Sequence, residues 1–168
     1  MNVVVVNESD LLKAAEKGMD QFILVFVDAI YKAIGNELTA ENMAKLNADQ
    51  ITLLAYVILR DEVMDGGFVQ LIHNGYGAFI FKNPFSKMMR KWGIDPLASM
   101  INKAHKSFTH FHEEIEKECS DDEFMALFEK FPVFDDYDDD FVENEEQWTN
   151  MVACYIDEHI EDFAVIKK

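Results

Sequence analysis

The chain has 168 residues, 49% of them hydrophobic, which is enough to bury a core and excludes a disordered chain. Only 7 Gly and 3 Pro favour long regular elements. A formal charge of −17, from 15 basic and 32 acidic residues, repels phosphates and anionic lipid, excluding direct binding of nucleic acid or membrane surfaces.

In chain order, Met1 to Val6 carries four valines but no basic n-region, and its apolar run is too short for a signal peptide. Ser9 is expected to cap a first short helix that ends at Gly18. Met19, Phe22, Ile23, Phe26, Val27, Ile30, Ala33 and Ile34 recur at helical spacing, and Gly35 stands where a helix-terminating glycine belongs. From Asp49 to about Leu71 the chain is apolar on nearly every side through Leu53, Leu54, Tyr56, Val57, Ile58 and Leu59. That predicts a central helix packed all round, because the run is too long for a buried strand. Asn74, Gly75, Gly77 and Pro84 make residues 74–84 a loop. Beyond Gly93, a stripe of Leu97, Met100, Ile101, Ala104, Phe108, Phe111 and Ile115 predicts another amphipathic helix. Phe124, Leu127, Phe128 and Phe131 predict a short one, stopped by Pro132. Trp148, Met151, Val152, Tyr155, Ile156, Ile160 and Phe163 mark the last helix. No segment reaches about 18 uninterrupted apolar residues, so no membrane span is expected. With no repeat and no linker, the reading is one all-α domain over residues 1–168, in the cytoplasm, with Cys119 and Cys154 as reduced thiols.

The charge is unevenly placed. Residues 1–112 hold 12 acids and 11 bases, whereas residues 113–146 hold 16 acids and 2 bases. Like charges four apart on a helix, such as Glu114 and Glu118, cost about 0.2–0.5 kcal/mol each. A solubility surface is built with less repulsion by interspersing lysines, so this tract points to a cationic partner, against the plain alternative of a solvated acidic loop and face.

Other chemistry fits poorly. Asp136, Asp138 and Asp140 occupy the first, third and fifth places of a calcium loop, but Phe141 stands where glycine is needed and Gln147 where the bidentate glutamate belongs. His105, His110, His112 and Glu116 suggest a metal site; however, His105 and His112 flank an apolar stripe and read better as partly buried or surface histidines. His159 falls within the apolar face of the last helix and reads the same way. Gly66, Gly67, Gly75 and Gly77 lack the spacing of a phosphate loop. Neither cysteine has a neighbourhood that marks a nucleophile. No catalysis, cofactor or metal is therefore expected.

The run Asp65-Gly66-Gly67-Phe68-Val69-Gln70-Leu71-Ile72-His73-Asn74-Gly75-Tyr76-Gly77 stands apart, because two adjacent glycines in a helical pattern each cost about 1 kcal/mol and need a reason such as a bend or close packing. It resembles the signature of the DNA-mimic protein family, a set of small acidic bacterial proteins. Gly66, Gly67, Phe68, Gln70, Asn74 and Gly75 match that signature, and Asp65 replaces its usual asparagine. Trp92-Gly93-Ile94 and the helix after it resemble the family's second block, so the similarity covers roughly residues 50 to 110.

The resemblance implies an all-α fold, often dimeric. Its surface carboxylates would imitate duplex phosphates and occupy the DNA-binding face of a basic regulator or nucleoid protein. The residues expected to meet that partner are Glu113, Glu114, Glu116, Glu118, Asp121, Asp122, Asp135, Asp136, Asp138, Asp139 and Asp140, while the glycine block defines the fold. The alternative is an immunity-type or scaffold module that covers a basic effector, where shape and apolar anchors outweigh charge.

Overall fold

The computed structural model describes residues 3–168. Among these, the chain forms β1 (Val5–Asn7), α1 (Glu8–Lys17), α2 (Met19–Ala33), α3 (Ala40–Met43), α4 (Ala48–His73), α5 (Gly77–Phe81), α6 (Phe85–Lys91) and α7 (Asp95–Glu116). There follow α8 (Asp121–Lys130), a 3-10 turn (Pro132–Phe134), α9 (Asp135–Glu158), α10 (Ile160–Phe163) and β2 (Val165–Lys167). The fold is all-α, as expected, apart from one short pair of parallel strands. The chain divides into two compact units: one holds residues up to Leu54 together with Gln147–Lys168, the other Ala55–Glu146.

In the first unit, the last two of the four amino-terminal valines open strand β1. Val4 and Val6 are buried while Val3 and Val5 face outward, and β1 pairs in parallel with β2 in the register Val5↔Val165. The apolar stripe of α2 buries Phe22, Ile23, Phe26, Val27 and Ile30. Full burial of each such side chain contributes about 1.5–3 kcal/mol as an upper estimate. Phe26 meets Phe22 edge-on at 5.4 Å and Phe163 at 6.3 Å. The start of α4 is closed reciprocally: the Gln50 amide donates to Asn47 Oδ1 at 2.8 Å and the Asn47 amide to Gln50 Oε1 at 3.0 Å. The same two side chains donate to the Phe163 carbonyl at 2.9 Å and the Asp162 carbonyl at 2.8 Å, tying α10 to that helix start.

The second unit centres on Phe68, fully buried in α4, with ring centroids of Phe81, Phe134 and Tyr137 at 6.2, 6.4 and 6.4 Å. Phe81 stacks on Phe108 at 4.8 Å, and Tyr56 lies 6.5 Å from Phe141. Pairs of this kind add about 0.5–1.5 kcal/mol each beyond their buried area.

Several elements differ from the sequence expectation. Residues 74–84 are not all loop, since α5 forms within them and buries Ile80 and Phe81. The first helix begins at Glu8 with Asn7 in the N-cap place, two residues earlier than a Ser9 cap would put it. The last helix begins at Asp135, so the aspartate run is helical rather than loop, and it breaks near His159 before α10. The short helices α3 and α6 also form where no element was expected.

Candidate protein-binding face

The expected contact residues fall on three consecutive helix ends of the second unit. Glu113, Glu114 and Glu116 close α7, Glu118 lies in the turn after it, Asp121 and Asp122 open α8, and Asp135 to Asp140 open α9. The two helix starts suit their acids, because the partial positive charge of a helix N-terminus stabilises carboxylates by about 0.3–1 kcal/mol. Ser120 caps α8 by accepting from the Glu123 amide at 3.2 Å, and its hydroxyl donates to Glu123 Oε1 at 3.0 Å. The end of α7 has the opposite polarity, and there Glu114 pairs with Lys130 while Glu116 Oε1 lies 2.5 Å from His112 Nδ1.

Glu113, Glu114, Glu116, Glu118, Asp121, Asp122, Asp135, Asp136 and Asp139 are exposed, while Asp140 is half-buried and accepts from the Asn144 amide nitrogen at 3.1 Å. Asp136, Asp139, Asp140 and Glu143 line one side of an open groove of about 570 Å³, with Met100 and Lys103 of α7 opposite. Glu143 was absent from the expected contacts, although the acid count of residues 113–146 contains it.

Asp138 turns inward. Its Oδ1 accepts from the Phe68 amide at 2.7 Å, at the point where α4 is broken by Gly67 with φ 75° and ψ −175°. A broken helix exposes an unpaired amide at its second start, and Asp138 satisfies it from another helix. Gly67 has a double reason to be glycine: its φ lies in the left-handed region, and a Cβ there would strike the Asp138 carboxyl group. Burial, reinforced by Asp135 and Asp139 and opposed by the Phe68 amide, pushes the Asp138 carboxyl up from its ordinary 3.8 to about 7.

The rest of the glycine block builds around the same kink. A Cβ on Gly66 would strike the Gln70 side chain. Gln70 donates to Glu62 Oε2 at 2.6 Å and Asp65 Oδ2 at 3.0 Å, and Asn74 donates to Glu62 Oε1 at 3.1 Å. Asp65, at the position of the signature's usual asparagine, is thus an acceptor for the block's own glutamine. Gly75, φ 89°, ends α4: its amide donates to the Ile72 carbonyl at 3.0 Å and the Tyr76 amide to the Leu71 carbonyl at 3.1 Å.

The histidines sit against rings, as the apolar stripe suggested. His105 packs on Phe81 at 5.6 Å, and His112 stacks on Phe108 at 4.8 Å. His159 stacks on Tyr155 at 4.0 Å. Asp136, Asp138 and Asp140 ride on helix α9 instead of a calcium-type loop. Among the described residues, no group of three or more His, Cys, Asp or Glu side chains is placed to hold a metal ion, and no helix is long and apolar enough to cross a membrane. Cys119 and Cys154 are free thiols.

An all-α chain that crowds exposed carboxylates onto adjoining helix ends, braced by a buried aromatic core, defines an acidic helical protein whose distinctive surface is its charge. Residues 44–159, from just before α4 into the turn after α9, match the family described as DMP19-like protein, and the chain belongs to that family. The match includes both the glycine block and the acidic helix ends. The chain is also 35% identical over 127 residues, 75% of its length, to the DNA mimic protein DMP19 of Neisseria meningitidis serogroup B (strain ATCC BAA-335 / MC58), covering 77% of that protein.

Proposed function

We propose that this chain is a non-catalytic DNA mimic that occupies the DNA-binding face of a basic regulator or nucleoid protein. The observation that carries this reading is the crowding of exposed carboxylates on the ends of α7, α8 and α9, in a segment with 16 acids and 2 bases. The relative named a DNA mimic protein supports it. B-DNA presents one negative charge per about 1.7 Å of its axis, and a protein face built to neutralise that array selects dense anions without needing bases. Glu113, Glu114, Glu116, Glu118, Asp121, Asp122, Asp135, Asp136, Asp139 and Asp140 are assigned to the contact. Capture from the source cell's lysate, eluted by a salt gradient and repeated with excess duplex DNA, tests the reading. A basic DNA-binding protein that elutes at moderate salt and is displaced by DNA supports it; a captured partner indifferent to both contradicts it.

A second reading, an immunity-type or scaffold module covering a basic effector, is favoured by one observation. Phe111, Met125, Val133 and Val142 are exposed apolar side chains in the same stretch of chain as the carboxylates. Under that reading, truncating Met125 and Val133 to alanine weakens capture more than removing charge does, and duplex DNA does not compete.

A further inference from the structure

We propose that Asp138 is a positioning residue for the acidic face and not one of its contact charges: its bond to the Phe68 amide clasps the first turns of α9 to the kink of α4. The inference rests on the reading that this face is the binding surface, and it assigns one aspartate a different role from its neighbours.

The geometry separates Asp138 from the rest of its run. A helix turns about 100° per residue, so Asp136, Asp139 and Glu143 project from the side of α9 away from Asp138. Asp136, Asp139 and Glu143 open onto the groove shared with α7, whereas Asp138 shares its side with the buried Phe134 and Phe141. The site that receives it is built for the purpose. Gly67 is bare where a Cβ would strike the Asp138 carboxyl group, its left-handed backbone frees the Phe68 amide, and the bond is 2.7 Å. Phe68, one residue from the break, anchors the ring cluster that also holds Phe134 and Tyr137 at the base of α9. If α9 rotated about its axis, every exposed carboxylate of its first turns would change direction together, so the clasp sets the aim of the acidic run.

The charged surroundings make the clasp sensitive to protons. On α9, the charges of the neighbouring Asp135 and Asp139 disfavour the ionisation of Asp138; α4 supplies the Phe68 amide, which favours it. From α7, Lys103 lies in the groove with Asp136, Asp139 and Asp140. An ionised acceptor makes the stronger bond to the amide. Near neutral pH the clasp therefore passes from a carboxyl to a carboxylate acceptor, whose stronger bond only partly offsets the cost of burying the charge.

The test uses the full chain, the variants Asp138→Asn and Asp138→Ala, and oligolysine as a cationic probe. The Phe68 amide shift in the wild type is expected to titrate with one midpoint near neutral pH, and Asp138→Asn, which retains an acceptor, is expected to lose that titration with helicity unchanged. At mildly alkaline pH, Asp138→Asn is expected to bind oligolysine within about twofold of wild type despite one charge fewer, while Asp138→Ala loses roughly fivefold. Equal losses in the two variants would show Asp138 acting as an ordinary contact charge and overturn the proposal, as would a Phe68 amide that does not titrate. Oligolysine that fails to bind the wild type sinks the acidic-face reading and the positioning role with it, an outcome distinct from normal binding with equal variant losses.

Discussion

Gly67 and Asp138 are a pair in which each residue explains the other. A side chain at Gly67 would be strained by its backbone and would expel the Asp138 carboxyl group. Gly67→Ala is accordingly expected to destabilise the chain by about 2 kcal/mol or more, read from urea unfolding at constant slope. The raised proton affinity of Asp138 has a definite sign in stability. Between its ordinary 3.8 and about 7 the folded chain holds a proton that the unfolded chain has lost, so this contribution is full below 3.8 and disappears as pH rises through about 7. The thermal midpoint should rise as pH is lowered from about 8 to about 6, and Asp138→Asn should flatten that dependence; a wild-type midpoint that falls over the same interval would contradict the assignment.

At the scale of elements, α8 is the least anchored of the long helices in the acidic region, burying only Leu127. Its stability leans on Ser120 and on the acids of its first turn. Ser120→Ala should cost about 1 kcal/mol and raise amide exchange within α8, leaving exchange in the central part of α7 unchanged. The helices with a sustained apolar stripe were legible in the sequence: α2 from Phe22 to Ile30, α7 from Leu97 to Ile115, and α4 from its continuous apolar run. The start of α9 was not, because five aspartates in six residues read as solvated loop. What overrides that composition is the i, i+7 series Phe134, Phe141 and Trp148, all buried, together with the preference of helix starts for carboxylates. The strand Val5–Asn7 was illegible for a different reason: its partner, Val165–Lys167, lies at the other end of the chain, and a three-residue pairing leaves no local periodicity. For the acidic face, the sequence revealed which residues carry charge and concealed which way they point. Asp138, four residues after Phe134 and three before Phe141, parts from Asp139 only once the run is read as a helix, and the kink at Gly67 then supplies its partner.

At the scale of the whole molecule, the charge is far from balanced, and the imbalance is local: residues 1–112 are close to neutral, while residues 113–146 carry the excess. Such a distribution costs self-repulsion and returns association with cations. Its effect on a partner is expected to depend on ionic strength far more than on any apolar contact, because exposed charges are screened within about 10 Å at 0.1 M salt. The family match spans both the glycine block and the acidic helix ends.

The decisive experiment is the salt dependence of binding between this chain and its captured partner, measured for the wild type and for a variant with Asp135, Asp136, Asp139 and Asp140 changed to asparagine. A DNA mimic should show wild-type affinity falling steeply with added salt, a shallower slope in the variant, and displacement by duplex DNA. Affinity unchanged near about 1 M salt, with the same slope in both proteins, would contradict phosphate imitation and leave the acidic tract as a solvated surface.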